Sequence, residues 1–514
     1  MKLSRMMSVT AVVSALVVGL RAFAAEETNE VEQLKRQLQQ MQENFDRMQR
    51  EQKQQIEALT QKLDALAGKQ AAEAEKKKLE QDLASELQKN QPRASAETAK
   101  VPVATPTAAW SPTAPIRLGG NGAYMDIGLV ATFAAGGSTA NDIEGGTQLG
   151  GHDPNQRGFT VQGAEVNFAG AVDPYFRGNA NVVFQIDSGG ESFLELEEAW
   201  LETLSLPANL QVRGGQFLTD FGRLNTQHPH SWAFVDTPLV NGRLLGPDGL
   251  RNPGARISWL APTPFYSELF FAVQNSQGET AFSFRDSHGS EPFLGRLHEQ
   301  GRVKSFSDLL FTPRYAASFD LTDTQTLLAG VSAAFGPNGS AANADTQIYG
   351  VDLYWKWKSA NAHGGFPFIS FQTEAMLRRY QLGAFSEDLN GNGALDPGEP
   401  DFNGDGVIDS VPRETITDWG WYGQALYGFR KGWVAGLRGD YVAPTSRATY
   451  ESTFGPDPER LSRWRISPNL TWYPSEFSKI RLQYNYDNRQ GMGVDHSVWL
   501  QFELLLGAHA AHKF

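Results

Sequence analysis

Lys479-Ile480-Arg481-Leu482-Gln483-Tyr484-Asn485-Tyr486-Asp487-Asn488-Arg489 alternates in character at almost every step. Ile480, Leu482, Tyr484 and Tyr486 share one parity; Lys479, Arg481, Gln483, Asn485, Asp487 and Arg489 share the other. Side chains point to opposite faces along a β-strand, so one face here is apolar and the other polar. The final segment repeats the pattern: Val498, Leu500, Phe502, Leu504 and Leu506 share a parity with the terminal Phe514. A soluble sandwich strand alternates in the same way. A chain that ends on such a strand behind an export signal reads instead as a β-barrel, in which lipid covers the apolar face and water the polar one.

Residues 1–24 supply that signal. Lys2 and Arg5 make a basic start, Met7 to Leu20 are mostly apolar, and Ala22-Phe23-Ala24 offers a small-residue cleavage site. No other stretch approaches the 18 or so continuous apolar residues of a membrane helix. The chain has no cysteine, so its stability is expected from a closed hydrogen-bond ladder and from oligomerisation. From residue 117 onward 43 acidic residues stand against 29 basic ones. That sign disfavours nucleic acid as a partner.

Residues 28–90 are a different material. Val31, Leu34, Leu38, Met41, Phe45 and Met48 follow 3-4 spacing, and Ile56, Leu59, Leu63 and Leu66 resume it after a stutter. Gln, Glu, Lys and Arg fill the gaps, which predicts a periplasmic coiled coil. Residues 91–116, rich in Pro, Ala and Thr, read as an extended linker. From 117 to 514 alternating segments and short turns predict a sixteen-stranded antiparallel transmembrane barrel, from a first strand over 117–135 to a last over 496–514. Short connections alternate with long ones near 137–156, 223–253, 278–309, 386–415 and 445–462, as periplasmic turns alternate with external loops. The fold class is therefore all-β, a barrel preceded by an α-helical coiled coil.

The sharpest local motif lies in the fourth of these long loops. Asp388, Asn390, Asn392, Asp396 and Glu399 occupy positions 1, 3, 5, 9 and 12 of a calcium loop, with Gly393 at position 6 and Ala394 offering its carbonyl at 7. A second copy follows: Asp401, Asn403, Asp405, Val407 (by its carbonyl) and Asp409. Its twelfth position is Pro412, so weaker binding is expected there. The expected role of Ca²⁺ is structural, cross-linking an acidic external loop. His228/His230 and His509/His512 have spacings found in zinc sites. The first pair falls in an external loop and the second at the periplasmic rim, so hydrogen-bonding surface histidines are favoured over zinc.

Inward-facing residues decide what a barrel passes. Arg213, Arg314, Arg378, Arg438, Arg463, Arg465 and Arg481 fall on polar faces, as do Glu195, Glu197 and Glu374. An open arginine row would favour anions, because the guanidinium fork pairs with oxyanions. The alternative is that Arg and Glu rows face each other across the lumen and set a transverse field. No nucleophile elbow or metalloprotease motif is present, so no enzyme is expected.

The Gly214–Arg251 block, with its GQF and FGRL elements, is similar to the strand-and-loop block of the phosphate-selective porin O/P family, and GAEVNFAGAVDPYF at 163–176 fits the second strand and turn of such porins. A coiled coil ahead of the barrel resembles DcaP-like porins. The resemblance implies a trimer whose third loop, near 223–253, folds into the pore. This barrel departs from phosphate-selective members in being acidic and poor in lysine, so phosphate specificity does not carry over. The paired histidines and the GAHAAHKF tail also resemble zinc-regulated outer-membrane receptors, but about 400 residues cannot supply a 22-stranded barrel with a plug. The sequence therefore reads as a trimeric outer-membrane porin for small hydrophilic solutes, with lipid, itself and solute as partners. The alternatives are a structural tether carrying a periplasmic stalk and a zinc-linked uptake barrel. Deleting residues 28–90 is expected to weaken the trimer in cross-linking without closing the pore; loss of all conductance from an inserted barrel would contradict this.

Overall fold

The computed structural model describes residues 116–507, except 121–122, 172, 287–291 and 299–300. The expected signal peptide and coiled coil, the linker up to residue 115, and the tail with His509, His512 and Phe514 lie outside the described residues. Sixteen strands run β1 Ala123–Ser138, β2 Gly158–Ala171, β3 Phe176–Ile186, β4 Ser192–Thr203, β5 Leu210–Leu218, β6 Arg251–Leu260, β7 Tyr266–Asn275, β8 Leu309–Thr322, β9 Gln325–Pro337, β10 Asp345–His363, β11 Phe366–Leu382, β12 Glu414–Arg430, β13 Trp433–Pro444, β14 Arg463–Ser475, β15 Ser478–Arg489 and β16 Gly493–Leu506. Each is antiparallel to the next, and β16 closes the ring on β1, with Ser497 opposite Ser138 and Leu506 opposite Leu129. A closed ring leaves no row of unpaired backbone groups.

One expectation is corrected. The first strand is not continuous from 117: Ile116–Gly120 is a separate short strand, antiparallel to β1, with Ile116 opposite Ile127 and Gly120 opposite Ala123. Glycines at 119, 120 and 122 surround Asn121, which is turn chemistry. The short strand pairs the part of β1 that lies beyond its pairing with β16.

Exposure is inverted relative to a soluble protein. On β14, Arg463, Arg465, Ser467, Asn469 and Thr471 are buried, while Trp464, Ile466, Leu470 and Trp472 are 37–45% exposed. The polar face therefore looks into the barrel and the apolar face outward, a surface that lipid can cover. Exposed aromatics collect near both strand ends. Trp259, Tyr266, Phe429 and Trp472 lie toward the short turns, and Phe159, Phe184, Trp419 and Trp464 toward the long loops.

The connection of residues 219–250 turns inward and carries a short helix, α1, Leu239–Leu245, all of whose residues are buried. Phe221, Leu239, Val240, Leu244 and Leu245 pack against Ala334, Ile348, Met376, Tyr422 and Val442 of the wall. Two wall glycines make room for them: a Cβ at Gly350 would strike the Phe221 ring, and one at Gly420 would strike Val240. At the long-loop end of the barrel, Phe293, Leu294, Val411 and Tyr450 form a second apolar cluster with the buried Tyr380 and Leu382 at the end of β11.

Val351 is 55% exposed in mid-strand, opposite Val331. Val351→Arg is expected to cost about 2–4 kcal/mol in a urea titration of the barrel folded into lipid vesicles; a cost near zero would show that this face does not meet lipid.

Candidate functional site

The infolded loop is held to the inner wall by polar contacts along its whole length. At its start, the backbone N–H groups of Arg223 and Leu224 donate to the Glu374 carboxylate at 3.1 and 2.8 Å, and Gly222 donates to Ser332 at 3.1 Å. Tyr422 donates its hydroxyl to Glu374 at 2.6 Å. Further along, Lys479, Arg481 and Asn469 donate to the carbonyls of His230, Trp232 and Ala233 at 2.9, 3.0 and 2.9 Å. The amides of Val235 and Leu239 donate to Gln483 at 2.8 Å and Asp440 at 3.1 Å.

Asp236 is the centre of this arrangement. It is 1% exposed. Its carboxylate accepts from Arg438 at 2.6 Å, Arg465 at 2.9 Å, and Gln483 and Asn485 at 2.8 Å each. Burial alone would raise its pKa, but Arg438 and Arg465 outweigh burial and hold the carboxyl below its ordinary range. The strands β13, β14 and β15 thus present a preformed socket to one loop carboxylate. Asp440 and Asp487 balance the rest of its charge, Asp440 on Arg438 at 2.8 Å and Asp487 on Arg465 at 2.8 Å.

The other arginines singled out in the sequence are also engaged. Arg314 pairs with Asp352 at 2.6 Å, Arg378 with Asp418 at 2.9 Å and Arg213 with Glu202 at 2.7 Å; Arg463 also pairs with Asp487. Arg481 donates to Gln501 and Thr471 at 2.9 and 3.0 Å. Glu195 accepts from Arg251, and Glu197 lies 2.7 Å from His228 Nδ1. These charges pair with wall neighbours or with the infolded loop rather than facing each other across the lumen. Long side chains from neighbouring strands reach each other more easily than they span a barrel.

The two loop histidines are not on the outer surface. His228 sits with one ring nitrogen 2.7 Å from Glu197 and the other 3.1 Å from Glu198, and His230 lies 2.9 Å from Glu165. Burial would lower the His228 pKa, yet the surrounding carboxylates of Glu197, Glu198 and Glu165 raise it well above its usual value. The expectation of surface histidines is therefore corrected, because the loop that carries them folds inward. Glu197 and Glu198 both reach His228 because β4 bulges there: Asn181 pairs with Glu198 and Val182 with Leu196. The sequence signal was a parity switch, with Leu194 and Leu196 outward before the double glutamate and Leu201 outward after it.

The tandem acidic loops share one backbone pattern. Asp388 accepts from the amides of Gly391, Asn392 and Gly393, and Asp401 from those of Gly404, Asp405 and Gly406. Gly391, Gly393, Gly404 and Gly406 all have φ between 73° and 79°, where other residues are strained. Asn390 and Asn392 donate to Asp396, and Asn403 donates to Asp405 and Asp409. Glu399 accepts from Leu389 and Asp396 at 2.9 Å each. The matching amides of the second loop, Phe402 and Asp409, donate at 2.7 and 2.9 Å to Glu387. A glutamate from before the first loop thus fills the place that Pro412 leaves open. Ala394 and Val407, the expected carbonyl donors, lie in these same turns.

No family model matches the chain. An uncharacterized protein of Aquifex aeolicus (strain VF5) is 30% identical over 390 residues, covering 71% of this chain and 73% of its own length. The two proteins belong to one family. Among solved structures, the outer membrane channel DcaP of Acinetobacter baumannii aligns over 75% of this chain and 98% of its own with 15% identity and a TM-score of 0.49. The anion-selective porin from Comamonas acidovorans aligns over 75% and 100% with 8% identity and a TM-score of 0.43. OprB of Pseudomonas putida aligns over 75% and 94% with 11% identity and a TM-score of 0.42.

Asp236→Ala leaves two buried guanidiniums short of their counter-charge. Removing one partner of a buried pair costs about 3–5 kcal/mol. The variant is expected to lose stability of that order and to free the infolded loop, read as an increased and noisier single-channel current; unchanged stability and current would contradict the role given to Asp236.

Proposed function

We propose that the protein is a trimeric outer-membrane porin through which small hydrophilic solutes diffuse passively. The observation that carries this reading is a closed barrel with an apolar exposed face and a polar inner face, crossed by a loop that is bonded to the wall. A soluble protein gains nothing from that inversion, whereas a membrane channel needs both faces. On this reading the short turns face the periplasm and the long loops the exterior. Trimerisation rests on the heptads of residues 28–90, and the expectation of no enzymatic role on the lack of a nucleophile elbow or metalloprotease motif in the sequence. Anions gain little from this lining, since Arg213, Arg314, Arg378, Arg438, Arg463 and Arg465 are each held by a carboxylate. Selectivity is set instead by the width that the infolded loop leaves.

Planar-bilayer recording of the purified protein tests the reading. Current steps in triplets with a weak reversal potential in a KCl gradient are expected. Silence from barrels shown to be inserted would favour a tether.

We further propose that Ca²⁺ occupies the tandem loops of residues 388–409 and stiffens one external connection. Oxygen donors at fixed spacing around a tight glycine turn suit that ion. Glu399 would serve the first loop and Glu387 the second, so the two sites are expected to be of similar affinity. Calorimetry is expected to show two Ca²⁺ ions per chain, one lost in Glu387→Ala and both in Asp388→Ala with Asp401→Ala. A wild-type response in the double variant would refute the assignment.

A further inference from the structure

Where the infolded loop returns to the wall, three elements from distant parts of the chain bring metal-ligating groups together. They are His152 of the first long loop, Glu195 of β4 and Asp248 near the end of the infolded loop. One ligand atom from each lies within 4.8 Å of the others.

His152 shows what this place lacks. The residue is 6% exposed, and its Nε2 has no hydrogen-bond partner among the protein atoms. That nitrogen is 4.0 Å from Asp248 Oδ1, too far for a hydrogen bond. Its Nδ1 lies 3.1 Å from the Gln162 carbonyl oxygen. Nδ1 is thus turned toward protein partners, and Nε2 faces the two carboxylates. The Gln185 amide nitrogen is also 2.8 Å from Nδ1 and donates to the Gly151 and Gln162 carbonyls at 3.3 Å each, so the Nδ1 edge of the ring is fixed by protein groups. An imidazole oriented by a carbonyl behind it is the usual form of a metal-ligating histidine.

The space and the charges fit as well. A cavity of about 30 Å³ adjoins the cluster on the side of His152 and Asp248, with Glu197 rather than Glu195 in its lining. A Cβ at Gly151 would overlap Asp248 Oδ1, so glycine there keeps the carboxylate close. The Arg251 guanidinium holds one oxygen of Glu195, Oε1, so the carboxylates have one cation beside them and room for another. The side chains of Glu195 and Asp248 are 22% and 24% exposed, which leaves the site open to lumen water. His228, by contrast, spends both ring nitrogens on carboxylates.

We infer that His152, Glu195 and Asp248 form a binding site for one divalent cation of the first transition row, with Zn²⁺ the best match to one imidazole and two carboxylates. The ion would staple the end of the infolded loop both to the first loop and to the wall. This site is independent of whether the barrel conducts, and of the Ca²⁺ loops.

The test uses the full chain in detergent, stripped with chelator and re-equilibrated with Zn²⁺ alone. The background carries His509→Ala and His512→Ala, so that the tail contributes no imidazole. Metal analysis with chelator competition is expected to give one Zn²⁺ per chain. His152→Ala, and Asp248→Asn, which keeps the side chain's shape, are each expected to weaken it about tenfold or more. Heat-modifiable mobility on gels reports whether each variant is folded. If His152→Ala does not fold, Asp248→Asn alone decides. No bound Zn²⁺ in the background protein, or undiminished binding in the folded variants, would overturn the site.

Discussion

One carboxylate between two guanidiniums fixes the interior of this barrel. Asp236 is carried by a loop and Arg438 and Arg465 by the wall, and all three are almost wholly buried. Ions removed from bulk water are stable only when paired and hydrogen-bonded. A loop that left Asp236 unmatched would leave Arg438 with Asp440 alone and Arg465 with an Asp487 that it shares with Arg463. The loop's position is therefore an electrostatic requirement of the wall, and the route across the lumen follows from it. The apolar side chains of α1 reinforce the position on wall residues such as Met376 and Val442, but they do not specify it as sharply.

The wall supports this design from its own side. Because side chains alternate, every strand can present lipid-compatible residues outward while its inner face carries long charged ones. The inner charges are then balanced locally: Arg378 by Asp418 on the next strand, and Arg314 of β8 by Asp352 of β10, reaching past Gly330 of β9. Local pairing lets the barrel hold many arginines without a strong field across its interior. It also explains why an acidic chain need not line the barrel's interior with free acid.

Much of the architecture was legible because strand parity is a local signal. The segment from Lys479 to Arg489 announces both faces of β15, and the same rule found all sixteen barrel strands. Resemblance to porins in the 214–251 block also pointed to the infolded loop. What parity cannot show is which distant residues meet. Asp236 and Arg438 are 202 positions apart, and no local pattern marks Asp236 as a hub. The bulge at Glu197 and Glu198 broke the parity rule at the place where His228 docks, so one of the two carboxylates was missed. Glu387 was hidden because it precedes the motif it completes. His152 and Asp248 each look like ordinary loop residues until the fold brings them beside Glu195.

The account stands on the loop being fixed across the lumen, which amide hydrogen exchange reads directly. The N–H groups of Val235 and Leu239 donate to Gln483 and Asp440 inside the barrel. They are predicted to exchange as slowly as strand amides in β14 and β15. Exchange as fast as that of the exposed 388–409 loop would mean that the loop is not held there, and the central claim would fail.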